Sequence, residues 1–214
     1  MKRIFYWALG VFVLVSCSKT PEQKAEALVK ENVKKVLLKP DTYDPIETEI
    51  DSVYSPYNDP DFYKEVTNFS KLLSELPDCE KALEDAKEKM FLYDLKYTNS
   101  YFTEKYHKAK IKYEEAIKKH IKLKEKIQNK YEEIAAKIRG NNAFSGYAIC
   151  HSFRANNNDG ETSINNYFIF VDKNIENVLF ALSEYELNEY DETINQIKEK
   201  MEDGAQWFSD DDDE

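Results

Sequence analysis

Cys150-His151 places a thiol beside an imidazole, the raw material of a nucleophilic couple. Alternation around the pair sets Tyr147, Ile149, His151 and Phe153 against Ala148, Cys150, Ser152 and Arg154, which predicts a strand. On a strand, neighbouring side chains point to opposite faces, so the two cannot form a thiolate-imidazolium couple by themselves. The expectation is a strand cysteine next to a satisfied strand histidine. His107, His120 and His151 have no HxxxH or HExxH spacing, so no zinc site is expected. The loop Asn156 to Glu161 offers amides and a carboxylate to calcium. It lacks the alternating acidic ligands before its glycine and the glutamate at the twelfth position, and reads as a turn. There is no GxSxG, P-loop or GxGxxG, and five glycines leave little loop machinery for cradling phosphates. No catalytic residue, metal or cofactor is expected.

The remaining thiol has a different chemistry in prospect. Lys2-Arg3 precedes an apolar run from Ile4 to Val15, the layout of a secretory signal, too short to span a bilayer of about 30 Å as a mature helix. Residues 1–16 are therefore set aside from the fold. Leu14-Val15-Ser16-Cys17 looks like a bacterial lipobox, with an aliphatic residue three before the cysteine and a small one just before it. Cys17 would then be the acylated first residue of the mature chain. Buried acyl CH2 groups, at about 0.8 kcal/mol each, hold such a domain at a membrane without a transmembrane helix. Ser18 after the cysteine, rather than aspartate, resembles lipoproteins sent on to an outer membrane in enterobacteria, and the acidic run that resembles surface export in Bacteroidota lipoproteins is lacking behind Cys17, so the expected location is the periplasmic face of an outer membrane.

The elements that must position any site follow from periodicity. Ala25, Leu28, Val29, Val33, Val36 and Leu37, with Thr20 as N-cap and Pro21 at N1, predict a helix over Pro21 to Leu38. Lys39 to Pro45 ends it, and Ile46 to Tyr57 suits a strand that Pro56 confines to an edge or closes. From Asp61 to Arg139 apolar residues recur at steps near 3.5, broken by the polar Thr98-Asn99-Ser100, which predicts two arms folded back as an antiparallel hairpin. One continuous helix is the rival. Pro77 should kink or split the first arm, and Gly140 should stop the second. Phe144 to Ala155 and Thr162 to Val171 are strands joined by Asn156-Asn157-Asn158-Asp159-Gly160. A further strand runs through Val178 to Ala181, and Ser183 with Glu186 caps a last helix whose face is Leu187, Tyr190, Ile194, Ile197 and Met201.

The fold class expected is α+β: a small antiparallel sheet of three to four strands with N- and C-terminal helices and an inserted, coiled-coil-like helical hairpin. Segments 17–59 and 140–203 form a base that folds together, because neither alone buries a good core. Segment 60–139 is the hairpin, and 204–214 is an acidic tail expected to be disordered. Cys79 lies far along one arm from Cys150 on the base, too far for a disulfide, whose Cα atoms sit within about 7 Å.

Net charge is −11, which argues against nucleic acid as a partner. Within this acidic chain, Phe102 to Arg139 carries twelve lysines and arginines against six glutamates. Lys108, Lys110, Lys112, Lys118, Lys119 and Lys122 would meet either the first arm or anionic headgroups. Tyr93, Tyr97, Tyr101, Tyr106 and Tyr113 cluster near the hairpin tip. They read as seam packing or, for Tyr97, Tyr101 and Tyr106, as a partner-binding surface.

With the lipobox, Lys39-Pro40-Asp41-Thr42-Tyr43-Asp44-Pro45, Asp51-Ser52-Val53-Tyr54-Ser55 and Gly146-Tyr147-Ala148-Ile149-Cys150-His151-Ser152-Phe153-Arg154-Ala155-Asn156, the chain resembles small uncharacterised lipoproteins of gut Bacteroidota. That resemblance implies an envelope location and lipidation at Cys17, and carries no activity. The expectation is a lipid-anchored, non-enzymatic envelope protein whose hairpin contacts a partner protein or an envelope polymer. Alternatives are a membrane-bridging role for the basic arm, or a hydrolase-type enzyme with a site between hairpin and sheet that uses His151 or Cys150.

Overall fold

A computed structural model describes residues 19–94, 100–140, 142–204 and 206–208. Its elements are helix α1 (Pro21–Val36), strand β1 (Asp44–Tyr54), helices α2 (Pro60–Asp94) and α3 (Ser100–Gly140), strands β2 (Phe144–Asn156), β3 (Thr162–Asp172) and β4 (Val178–Ser183), and helix α4 (Glu184–Glu202). The fold is α+β, with an antiparallel sheet in the order β1-β2-β3-β4. The signal segment and Cys17 lie outside the described residues, as do Thr98, Asn99 and the acidic run Asp210 to Glu214. Among the described residues no helix is long and apolar enough to cross a membrane.

Local chemistry accounts for the boundaries. Thr20 Oγ1 accepts from Gln23 N–H while the Gln23 side chain returns to Thr20 N–H, so α1 starts with a reciprocal box and Pro21 in its first turn. Ser183 and Glu186 do the same for α4. Strand β1 starts at Asp44, earlier than the expected Ile46, because a residue before proline is already driven to extended geometry. It ends at Tyr54, where Tyr57 N–H bonds back to Tyr54 C=O. Helix α2 is not split at Pro77. The proline is exposed while Leu73, Leu76 and Cys79 on either side pack inward, so seam contacts carry the helix past the one missing donor.

Helices α2 and α3 run antiparallel, which removes the continuous-helix alternative. Glu65 pairs with Lys137, Glu80 faces His120 at 4.0 Å, and Tyr93 lies under Lys105 at 5.7 Å, so numbers rise on one arm as they fall on the other. With 35 and 41 residues, the arms are about 52 and 62 Å long at about 1.5 Å per residue. At the neck, Ser55 N–H donates to Ala143 C=O at 2.9 Å and holds the flanking segments together. Ser100, expected in the turn, is the first residue of α3.

Two cores lie on opposite faces of the sheet. On one face Ala25, Val29 and Val33 of α1 cover Ile149, Phe153, Ala155, Ile169 and Val171. The other core joins the hairpin root to α4: Phe62, Val66 and Phe69 meet Ile127, Tyr131 and Ile134, closed by Tyr190, Ile194 and Ile197. Tyr63 stacks on Phe180 at 5.3 Å and Phe180 on Phe170 at 4.4 Å, tying that root to the sheet. Cys79 and Cys150 are both free thiols.

Gly146 is the tightest backbone approach in the sheet. A Cβ there would strike the Val171 carbonyl oxygen and come within 2.6 Å of the Asn58 amide nitrogen, and Asn58 is itself buried. Gly146→Ala should cost about 2 kcal/mol through overpacking, lowering the thermal midpoint by about 4–8 °C for a chain of this size. Circular-dichroism melting checks this, and an unchanged midpoint contradicts the close approach.

Candidate functional site

Beyond Leu76 on α2 and Leu123 on α3 the seam changes character. The root is filled with Leu, Ile, Phe and Tyr, whereas in the distal half Leu83, Met90, Tyr113 and Ile117 are only half-buried and one flank of the seam presents Cys79, Ala82, Ala86, Ala109 and Ala116. The root sets how close the helices stand, so small residues farther out leave space between them. The result is a groove of about 650 Å³ along the hairpin.

Its floor is apolar and its rim is cationic. Lys89, Lys105, Lys108, Lys112 and Lys119 line it, with Asp85 and Glu115 as the carboxylates and Tyr93 toward the tip. Lys108 is bound to Glu104 at 2.6 Å. Lys112 and Lys119 are exposed and have no carboxylate partner among the described residues. An apolar floor with unneutralised ammonium groups suits a ligand that brings both carbon surface and negative charge. Toward the root a second hollow of about 490 Å³ is lined by Leu83, Glu80, Glu84, His120, Lys124 and Phe208. There His120 Nε2 is buried without a hydrogen-bond partner, since Glu80 at 4.0 Å is too distant.

The tyrosine reading places the site less well. Tyr97 lies outside the described residues, and Tyr101 starts α3 with its side chain undescribed. Tyr106 is half-buried, turns its ring to His107 at 5.9 Å and does not line the groove. Tyr93 does line it. The signal that could have found the groove is the run of alanines at helical spacing in register with lysines.

At the base, His151 and Cys150 point to opposite faces of β2. His151 is 2 % exposed, with Tyr43 Oη on Nε2 and Thr48 Oγ1 on Nδ1, each at 2.9 Å. A hydroxyl can donate or accept, so either neutral tautomer is satisfied. Cys150 is half-buried among Glu49, Glu47, Glu184 and Asp51, and burial together with these charges pushes its thiol pKa up, the wrong direction for a nucleophile. In the turn at Asn156 to Glu161, Asn157 Oδ1 accepts from Glu161 N–H and its amide reaches the Glu161 carboxylate, while Gly160 takes φ +87°. These groups close the turn. Among the described residues no cluster of three or more His, Cys, Asp or Glu could hold a metal ion.

Comparison of the chain with protein-family models, curated proteins and solved structures gives no match in any of the three.

His151 also makes a pH prediction. Burial depresses its pKa, against the opposing pull of the Glu47 backbone and the Glu26 charge. The unfolded chain takes up that proton more readily, with a pKa of about 6.5. Stability from this group is therefore full above that pH and is lost as pH falls from there toward the lower folded-state value. Thermal midpoints should decline between pH 7.5 and 5.5, and His151→Gln should flatten that slope. An unchanged slope in the variant would exclude His151 as the source.

Proposed function

We propose that this chain is a lipid-anchored envelope protein that acts as a binding or scaffold module, held by acylated Cys17 at the periplasmic face of an outer membrane and engaging its partner through the hairpin. The observation that carries the reading is the lysine-rimmed groove on the distal half of an arm that projects well beyond the packed base. The chemistry of the partner, an envelope protein or polymer, is anionic with some apolar surface.

Two experiments test the two halves of this reading. Cys17→Ala should abolish incorporation of labelled palmitate and release the chain from the membrane fraction; full labelling in the variant would remove the anchor. In cells, a photoreactive residue at Lys112 should give discrete crosslinked products that a similar residue at Lys30 on α1 does not. Ala86→Trp, which fills the groove, should suppress those products without changing the thermal midpoint. Equal products from both sites would end the groove's role.

One observation favours a second occupant, the membrane itself. Phe91, Leu92 and Ile111 are 59 %, 50 % and 55 % exposed near the tip, beside lysines of both arms, the pairing that dips into anionic headgroups. On that reading Cys17→Ala protein still binds phosphatidylglycerol vesicles, salt weakens the binding, and a Phe91→Ser, Leu92→Ser double variant loses it. Absence of vesicle binding by the Cys17→Ala chain eliminates this route.

A further inference from the structure

We propose that the distal groove takes one helix of a partner protein, amphipathic and mainly acidic, which lies along α2 and α3 and completes a three-helix bundle there. This rests on reading the hairpin as a binding arm and names what the arm holds.

Shape selects a helix. The groove is bounded by Cys79 to Tyr93 on α2 and by Lys105 to Lys119 on α3, each a run of about 21 Å, or about four turns, at about 1.5 Å per residue. Its floor is Cys79, Ala82 and Ala86 on one wall and Ala109 and Ala116 on the other, at the steps of three, four and seven by which a helix shows one face to a neighbour. Side chains this small let a third axis approach to the usual helix spacing of about 8–10 Å. The incoming helix supplies the large apolar residues that the floor lacks.

Charge selects which helix. Lys105, Lys108, Lys112 and Lys119 stand along the whole α3 rim, again at steps of three, four and seven. A fatty acid or other single-headed amphiphile gathers its negative charge at one end and leaves most of that stripe unanswered. A helix with Glu or Asp down one edge meets it throughout, as flanking charges do in a coiled coil. A second copy of this chain fits less well, because two such grooves face to face set one net positive rim against another.

The rim also carries a register mark. Glu80 faces His120 across the seam, so five residues nearer the tip Asp85 stands level with Glu115, and within a turn beyond stand Lys89 and Lys112. Glu115 therefore interrupts the α3 stripe, three residues from Lys112 and four from Lys119, and none of these three forms a close ion pair among the described residues. The matching edge of the incoming helix reads acid, base, acid at steps of three and four. Slipped by one turn, its base would meet a lysine, a repulsion that fixes register.

Synthetic helices titrated against the full chain test this. The probe is a fluorescein-labelled, end-capped peptide of about 20 residues, long enough to hold a helix, with Leu and Ala on one face and a Glu-Lys-Glu edge. By fluorescence anisotropy it should bind several-fold more tightly than a scrambled peptide of the same composition, and Ala86→Trp should abolish the binding at an unchanged thermal midpoint. Glu115→Lys should shift the preference several-fold toward a peptide whose edge is all Glu. Glu125→Lys, the same charge change at an exposed α3 position off the groove, should not. Failure of the Glu-Lys-Glu peptide to bind, equal binding of the scrambled peptide, equal shifts in the two lysine variants, or binding of sodium oleate instead overturns the proposal. Crosslinks from Lys112 in cells that persist when no peptide binds leave the arm standing and overturn the helix alone.

Discussion

The hairpin exists because its root is buried. Helices in proteins draw most of their stability from tertiary packing of an apolar face. Here Phe62, Val66 and Phe69 are locked against Ile127, Tyr131 and Ile134, with α4 closing the third side through Tyr190, Ile194 and Ile197. That contact fixes the spacing and register of the arms, and the distal half inherits both. From Leu123 toward the tip, among the described residues of α3, Ala109 is buried while Tyr113, Ala116 and Ile117 are half-buried. Leu83, Met90, Tyr113 and Ile117 are half-buried along the distal seam, and the groove opens on the flank where Cys79, Ala82, Ala86, Ala109 and Ala116 stand.

The sheet makes base and root a single unit. Its α1 face and its hairpin face each carry a separate core, and residues that alternate along the same strand serve both, such as Ile169 toward α1 and Phe170 toward Phe180 and Tyr63. Strands β1 and β2 flank the hairpin in sequence and pair antiparallel from Asp44 opposite Arg154 to Tyr54 opposite Phe144. That ladder, with the Ser55 to Ala143 bond at its end, is a clamp on the neck.

Most of this architecture was legible where one physical signal dominates. The alternation through Tyr147 to Phe153, the Ser183 and Glu186 box and the α4 stripe each report one local preference. Less legible features depend on distant groups. Ile175 takes φ +58°, a costly conformation for a β-branched residue. It is held there by a turn in which Asp172 accepts from Asn174 and Glu176 N–H groups, while the isoleucine side chain fills the core beneath α1. Trp207 and Phe208 show no periodicity, yet they cover the root. The candidate site was half-legible. Lysines and tyrosines drew attention to the distal hairpin, but a groove is made by side chains that are small, and small side chains add nothing to an apolar pattern.

The basic second arm invites the explanation that it neutralises the first, as flanking charges do when a coiled coil selects its partner. The pairing argues otherwise. Across the seam, among the described residues, the close ion pair of lysine with carboxylate is Glu65 with Lys137, and it lies at the root. Farther out, α3 satisfies its own charges along one helix, as with Glu104 and Lys108, while Lys112 and Lys119 share the groove with Asp85 and Glu115 without forming a close ion pair among the described residues. Charges whose task was to choose a partner helix would be spent across the seam over its whole length. At Lys112 and Lys119 on the distal rim of α3 that cross-seam pairing is absent among the described residues.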